Sequence, residues 1–156
     1  MSSSDIVMVK VLIAYYSRTG NTAKMAEAVA EGAKLQDIDV EVKSADKVDV
    51  NEILMADAIA IGSPTSWAYM SGCVKDMFER ILLQARDKIS GKPYVSFVSC
   101  GALESGKKAL ESIDYIAGYM KMQKVADGVV SIGAPGDKEA EICRKLGRKL
   151  SQAVKW

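Results

Sequence analysis

Two kinds of hydrophobic pattern alternate along the chain. Short apolar runs rich in β-branched residues are typical of strands buried in a sheet, and apolar residues spaced three or four apart are typical of amphipathic helices. The runs predict five strands, over residues 6–15, 38–42, 58–61, 94–99 and 125–132. The spaced patterns predict helices over residues 25–33, 49–55, 71–85 and 107–122, and a last helix that includes residues 138–150.

This alternation predicts an α/β fold with a parallel sheet, right-handed crossovers and helices on both faces. The second strand alternates Ile38, Val40 and Val42 with acidic residues, which is typical of an edge strand, whereas the first and third strands are apolar throughout. These exposures fit a doubly wound, five-stranded sheet of order 2-1-3-4-5. No linker or repeat divides the chain, so we expect one domain over residues 1–156.

In such a sheet, ligands bind beyond the carboxyl ends of the strands, where the strand order reverses. Three loops occupy that position: the first loop (17–22), the second loop (62–72) and the third loop (99–106). The first loop is polar throughout and consists of Ser17, Arg18, Thr19, Gly20, Asn21 and Thr22. A helix start offers unpaired amides and partial positive charge, and Gly20 permits close backbone approach, so this loop predicts a phosphate site. The alternative is an ordinary capped helix start.

The second loop places Trp67, Tyr69 and Met70 directly after a buried strand. Trp67 either plugs the loop onto the core or offers its flat face to a planar ligand. Its position across from the first loop favours the second interpretation. Stacking of an aromatic side chain on a base is worth about 1–3 kcal/mol in nucleic-acid complexes, which is enough to matter for a bound cofactor.

The third loop begins with small residues, Ser99, Cys100, Gly101 and Ala102. Small side chains let backbone N–H groups face the carbonyl edge of a ligand. Cys100 is either a reactive thiol or a small apolar residue at the end of a strand, and we favour the second interpretation.

The composition excludes several classes of chemistry. The 156 residues include 21 basic and 20 acidic side chains and no histidine. Neither a Ser-His or Cys-His nucleophile pair nor an imidazole metal ligand can therefore form. A net charge of +1 argues against nucleic acid as a partner, because nucleic-acid-binding domains are usually strongly basic.

The three cysteines, Cys73, Cys100 and Cys143, lie far apart and form no Cys-x-x-Cys pair. This spacing argues against a metal site and for free thiols in a reducing compartment. The chain shows no positively charged leader and no apolar run of the roughly 20 residues that a membrane span needs. We therefore expect a cytoplasmic protein without a membrane partner.

Together, the three loops resemble those of flavodoxins, which hold flavin mononucleotide (FMN) for electron transfer. The first loop is similar to the family's Ser/Thr-x-Thr-Gly-x-Thr phosphate motif, and Trp67 stands where many flavodoxins place a tryptophan against the flavin. The uninterrupted fifth strand is similar to that of the short-chain type. The resemblance implies no catalytic side chain and an FMN site that consists of Ser17, Arg18, Thr19, Gly20, Asn21, Thr22, Pro64, Thr65, Ser66, Trp67, Ala68, Tyr69, Ser99, Cys100, Gly101 and Ala102.

The resemblance also implies redox partner proteins that dock weakly at the flavin rim, which we expect at Ala68, Tyr69 and Met70. We expect a monomer, with a dimer as the alternative. Ala68 stands where flavodoxins often have glycine after the tryptophan, at a peptide that reorients on reduction. A positive φ at Ala68 would cost about 1–2 kcal/mol because of its methyl group.

Two other functions stay open. The chain from Pro64 to Gly72, followed by Lys75, Phe78 and Arg80, resembles the flavodoxin-like NAD(P)H:quinone and FMN reductases. Such an enzyme takes hydride from a nicotinamide and needs one open flavin face. A flavin-free module for signalling or assembly is the third possibility, because a fold alone does not determine function.

Overall fold

The computed structural model describes residues 8–154, so part of the first predicted strand (6–7) lies outside the described residues. The strands are β1 (Val9–Tyr15), β2 (Ile38–Ser44), β3 (Ala58–Pro64), β4 (Pro93–Cys100), β5 (Gln123–Lys124) and β6 (Val129–Ile132). The helices are α1 (Asn21–Ala33), α2 (Val50–Met55), α3 (Gly72–Ala85), α4 (Leu103–Tyr119) and α5 (Asp137–Val154).

The strands form one parallel sheet in the order β2-β1-β3-β4, and β4 pairs with both β5 and β6 on its other side. This confirms the predicted order 2-1-3-4-5, with β2 at an edge. Strand β1 lies between β2 and β3, so that Val11 pairs with Val40 on one side and Ala58 on the other. The strand order reverses beside β1, which places the first and second loops at the same edge of the sheet.

The fifth strand is not continuous, and the prediction of one strand over 125–132 was wrong. Tyr94 pairs with Lys124 and Phe97 pairs with Val129, but the chain between them leaves the ladder. This segment, Ala126-Asp127-Gly128, consists of residues that strands disfavour. Gly128 also lies so close to α4 that a Cβ there would be 2.7 Å from a methyl carbon of Leu110. Strands β5 and β6 therefore share the fifth position of the sheet.

Helix α4 begins at Leu103 and ends at Tyr119, whereas the pattern predicted residues 107–122. Its first turn contains Gly106, which lowers helix propensity but packs where a Cβ would lie 2.6 Å from the Cys100 Sγ. Its end follows from Lys121, whose φ of 61° is incompatible with a continuing helix. Asp49 and Ser71, the polar residues at which the second and third predicted helices begin, cap α2 and α3, since their side chains accept hydrogen bonds from Asn51 N and Val74 N respectively.

Helices cover both faces of the sheet. Helices α1 and α5 pack on one apolar core with the sheet, and α2, α3 and α4 pack on the other. None of the helices within residues 8–154 is long and apolar enough to cross a membrane.

Helix α1 packs closely against α5 because two glycines, Gly32 on α1 and Gly147 on α5, allow the two backbones to come into contact. A Cβ at Gly147 would lie 1.9 Å from the carbonyl oxygen of Val29, and a Cβ at Gly32 would lie 1.7 Å from that of Arg144. The hydroxyl of Ser151 donates to the carbonyl of Ala33 at 2.6 Å. The helix that follows the first loop is thus fixed by tight packing on its neighbour.

Candidate functional site

The three loops selected from the sequence meet at the carboxyl edge of the sheet. They enclose a cleft of about 260 Å³, close to the lower end of the ~300–1,000 Å³ that is usual for ligand pockets. The cleft is lined by Arg18, Thr19, Asn21, Pro64, Thr65, Ser99, Cys100, Gly101 and Gly133.

Gly133 was missed by the sequence analysis. It follows β6, has a φ of 73°, and its N–H donates to the carbonyl of Cys100 at 2.8 Å. The turn signal Pro135-Gly136 directly after the last strand indicates a loop at this same edge. The sequence therefore carries a signal for a fourth loop at this edge, beside the other three.

The first loop has the backbone geometry of an anion site. Gly20 adopts a φ of 98° at the start of α1, and nothing lies within 4 Å of where its Cβ would be. Ser17 Oγ accepts hydrogen bonds from the amides of Gly20 and Ala23, each at 3.1 Å. The amides of Asn21 and Thr22 have no acceptor within the described part of the chain. These two N–H groups are therefore available to a ligand at the helix start.

The first and third loops are joined by a buried pair of hydroxyls. Thr22 Oγ1 and Ser99 Oγ share a hydrogen bond of 2.7 Å, and both residues are buried. The Ser99 carbonyl also accepts from the amide of Thr65 at 2.9 Å. Ser99 thus connects all three loops, and the Thr22 hydroxyl is engaged within the protein rather than facing solvent.

The tip of the second loop is a tight hairpin from Thr65 to Met70, called the tryptophan hairpin below. Ser66 and Tyr69 exchange two backbone hydrogen bonds, of 2.8 and 3.1 Å. The residues between them, Trp67 and Ala68, have φ values of 54° and 58°. Positive φ at both central positions is the mark of a type I′ turn, which usually requires Asn-Gly or Asp-Gly. This turn instead uses two residues with side chains in a disfavoured conformation.

Trp67 points away from the core, since 99% of its surface is exposed. The interpretation of Trp67 as a plug is therefore wrong, and its faces are free for a planar ligand. Tyr69 is also exposed, whereas Ala68 is half-buried.

Met70 does not belong to the exposed rim, and this prediction was wrong. Its side chain is 2% exposed and lies in the core that the sheet forms with α3 and α4. The reason is the short turn, which returns the chain to the sheet edge within two residues and directs Met70 inwards. Leu103, at the start of α4, and Ile132, at the end of β6, are further exposed apolar residues at this end of the molecule.

The third loop presents backbone rather than reactive side chains. The Cys100 thiol is buried and donates to the carbonyl of Ser131 at 3.5 Å, and this burial raises the pKa of the thiol. A raised pKa disfavours the nucleophilic thiolate. Gly101 and Ala102 are exposed, and nothing lies within 4 Å of where a Cβ on Gly101 would be.

The charge at the cleft is positive and small. Among the residues that line the cleft, Arg18 carries a charge and none is a carboxylate.

The two basic residues of the segment that resembles reductases, Lys75 and Arg80, make contacts within the protein and do not line the cleft. Lys75 pairs with Glu79 at 3.1 Å, and the Arg80 guanidinium donates to the carbonyls of Ala45, at 2.8 Å, and Val48.

Comparison with known proteins agrees with this geometry. Residues 13–116 match the sequence profile of the family described as "Flavodoxin". The chain is 37% identical to a flavodoxin from Aquifex aeolicus, with 94% of this chain and 88% of the relative covered. A solved flavodoxin structure from the domain Archaea superimposes with a TM-score of 0.86, at 30% identity over 95% of this chain and all of that one.

An NAD(P)H dehydrogenase (quinone) from Archaeoglobus fulgidus is 30% identical over 85% of this chain and 80% of its own length. The family profile, the Aquifex relative and the archaeal structure all carry the flavodoxin description over most of the sequence. The chain therefore belongs to the flavodoxin family of FMN-binding electron-transfer proteins.

Proposed function

We propose that this flavodoxin holds FMN with its phosphate on the first loop and its ring beside Trp67, and passes single electrons to proteins that dock at this rim. The observation that carries the proposal is a juxtaposition. Asn21, whose amide is free at the start of α1, lines the same cleft as Thr65 at the base of the tryptophan hairpin. The tip of that hairpin carries the fully exposed Trp67 at the same edge of the sheet.

The first loop fits a phosphate by its chemistry. A phosphomonoester carries about −1.5 to −2 charges at neutral pH and offers three acceptor oxygens. The amides of Asn21 and Thr22 donate at the positive end of α1, and the Arg18 guanidinium supplies an opposite charge. Gly20 leaves the approach to its own backbone open, because no described atom lies within 4 Å of where its Cβ would be.

The tryptophan hairpin and the third loop fit a planar, polar-edged ring. Trp67 is exposed on both faces, and covering one of them with a flat ring removes apolar surface from water. Gly101 and Ala102 are small and exposed, so a carbonyl edge of the ring can approach the backbone of the third loop closely.

The bound FMN supplies the redox chemistry, and the residues of the chain hold it and set its electrostatic surroundings. A carboxylate near the flavin disfavours a negatively charged reduced form, and none of the cleft-lining residues is acidic. We therefore expect a less negative reduction potential for the second electron than in flavodoxins with acidic loops. A potentiometric titration that gives an equal or lower value would contradict this expectation.

The rim suits weak, apolar encounters. Trp67 and Tyr69 on the hairpin and Leu103 on α4 are exposed and uncharged. Weak redox complexes usually bury less than ~1,200 Å², so a small contact surface is enough for this role. Electron transfer to a partner is expected to depend only modestly on salt, because these exposed rim residues carry no charge.

The test is the visible spectrum of the purified protein, before and after anaerobic addition of dithionite and, separately, of NADPH. Flavin absorbance that bleaches with dithionite and not with NADPH supports the electron carrier. Rapid bleaching by NADPH would instead identify a reductase. A colourless protein that takes up no added FMN would contradict both.

A further inference from the structure

The exit of the tryptophan hairpin is fixed by two buried serines. The amide of Met70 donates to Ser112 Oγ at 3.1 Å, and the amide of Ser71 donates to Ser63 Oγ at 2.8 Å. Ser63 lies on β3, next to the hairpin, whereas Ser112 lies on α4, 42 residues away along the chain. The bond to Ser112 is therefore the one that ties the hairpin exit to a separate element of the fold.

Ser112 is suited to accept rather than donate. Its hydroxyl proton is engaged, because Ser112 Oγ donates to the carbonyl of Ala109 at 2.6 Å within α4. The lone pairs of the Ser112 oxygen are thus free to accept a hydrogen bond, and the buried N–H of Met70 donates to them. An amide in this position needs such a partner, since an unpaired buried N–H is costly.

The tip of the hairpin has no comparable support. Trp67 and Ala68 are held in the left-handed region although both carry side chains, and Trp67 is almost entirely exposed. The two hydrogen bonds between Ser66 and Tyr69 close the turn but do not attach it to the body of the protein. A strained turn persists only where contacts with the rest of the protein hold it in place. For the tryptophan hairpin, those contacts are the hydrogen bonds of the Met70 and Ser71 amides at its base.

We propose that Ser112 is a positioning residue that keeps the tryptophan hairpin in its left-handed turn before the flavin binds. The proposal rests on the proposed function, because it gives the fixed turn the task of presenting Trp67 to FMN. A hairpin already in its binding conformation loses less conformational freedom when the ligand arrives. Ser112 acts through Met70 and does not itself line the cleft.

The variant Ser112→Ala removes the acceptor and leaves α4 intact, since alanine is the best helix former. The Met70 amide is then buried without a partner, and the hairpin exit moves to find one. We expect the amides of Ser66 and Tyr69 in the flavin-free protein to exchange hydrogen at least tenfold faster than in the wild type. We expect the amides of β1 to change much less.

A matched control is Ser151→Ala, which removes another buried hydroxyl bonded to a carbonyl, that of Ala33 on the opposite face of the sheet. It lowers global stability without touching the hairpin. FMN affinity is measured for both variants by quenching of flavin fluorescence. Ser112→Ala is expected to bind FMN three- to thirtyfold more weakly and to alter the visible circular dichroism of the bound flavin, and Ser151→Ala to do neither.

The outcomes separate the two proposals. Failure of the wild type to take up FMN would contradict the proposed function. A wild type that binds FMN, with a Ser112→Ala variant whose hairpin exchange or FMN affinity matches that of Ser151→Ala, would overturn the positioning role alone. Faster hairpin exchange together with weaker binding supports it.

Discussion

The first loop and the tryptophan hairpin lie at the same edge of the sheet and both use left-handed backbone, but they obtain it differently. The first loop has glycine where φ is positive, at Gly20, with open space around it. The hairpin has Trp67 and Ala68 at its two left-handed positions. The conformation of the first loop is allowed because glycine tolerates positive φ, whereas that of the hairpin is imposed by contacts with the rest of the fold.

The difference indicates how each half of the site is held. The first loop takes its place from α1, which is packed on α5 through backbone contact at Gly32 and Gly147. The hairpin depends on hydrogen bonds at its base, to Ser63 and Ser112. We therefore expect the helix that supports the first loop to be sensitive to packing mutations, and the hairpin to be sensitive to changes in its polar contacts and backbone strain.

The largest effect is expected from the packing that supports the first loop. Gly147→Ala places a methyl group 1.9 Å from the carbonyl oxygen of Val29, so α1 and α5 must separate. We expect the free energy of unfolding to fall by about 3 kcal/mol in urea denaturation. The control is Gly118→Ala on α4, where the new methyl group meets open space and stability should rise by about 0.5–1 kcal/mol. Equal effects of the two substitutions would contradict the packing argument.

Removing the indole tests what the hairpin presents. Trp67→Ala is expected to weaken FMN binding by about 1–3 kcal/mol, the usual range for loss of an aromatic stacking partner. The stability of the flavin-free protein should change by less than about 0.5 kcal/mol, because the side chain is 99% exposed. Tyr115→Ala, on the exposed side of α4, is the matched control and should alter neither quantity. Unchanged FMN affinity in Trp67→Ala would exclude stacking.

Gly20→Ala places a side chain at the left-handed position that glycine occupies in the first loop. The methyl group meets no neighbour, so the cost comes from a φ of 98° alone. We expect the flavin-free protein to lose about 1–2 kcal/mol of unfolding free energy. A thermal or urea denaturation curve that matches the wild type would show that the loop changes its conformation at no cost.

Ala68→Gly is the reverse substitution, and we expect it to raise the free energy of unfolding where Gly20→Ala lowers it. Glycine relieves the left-handed strain but adds freedom to the unfolded chain, which leaves a net gain of about 0.5–1 kcal/mol in unfolding free energy. Urea denaturation of the flavin-free variant measures it. A loss of stability would indicate that the alanine methyl group packs usefully at this half-buried position.

The sequence predicts the parts of this fold that depend on local pattern. The strand order follows from the hydrophobic patterns that distinguish buried strands from an edge strand. The caps at Asp49 and Ser71 follow from the preference for Asp and Ser at a helix start. The first loop was found for the same reason, because a glycine and hydroxyls between a strand and a helix are a local signal.

The parts that could not be predicted depend on distant contacts. Trp67-Ala68 carries no turn signal, so the type I′ turn and the burial of Met70 follow only from the anchored base. The break in the fifth strand has a local signal in the strand-disfavouring residues Ala126-Asp127-Gly128, but the close approach of Gly128 to Leu110 depends on the fold. The role of Ser112 has no sequence signal, since a serine inside a helix pattern is ordinary.

An NMR titration of the flavin-free protein with FMN and with riboflavin compares the two halves of the site directly, because riboflavin lacks the phosphate. We expect the amides of Gly20, Asn21 and Thr22 to shift with FMN but not with riboflavin. The indole N–H of Trp67 should shift with both. First-loop amides that do not respond to FMN, or an indole that responds to neither ligand, would show that FMN is not held between the start of α1 and Trp67.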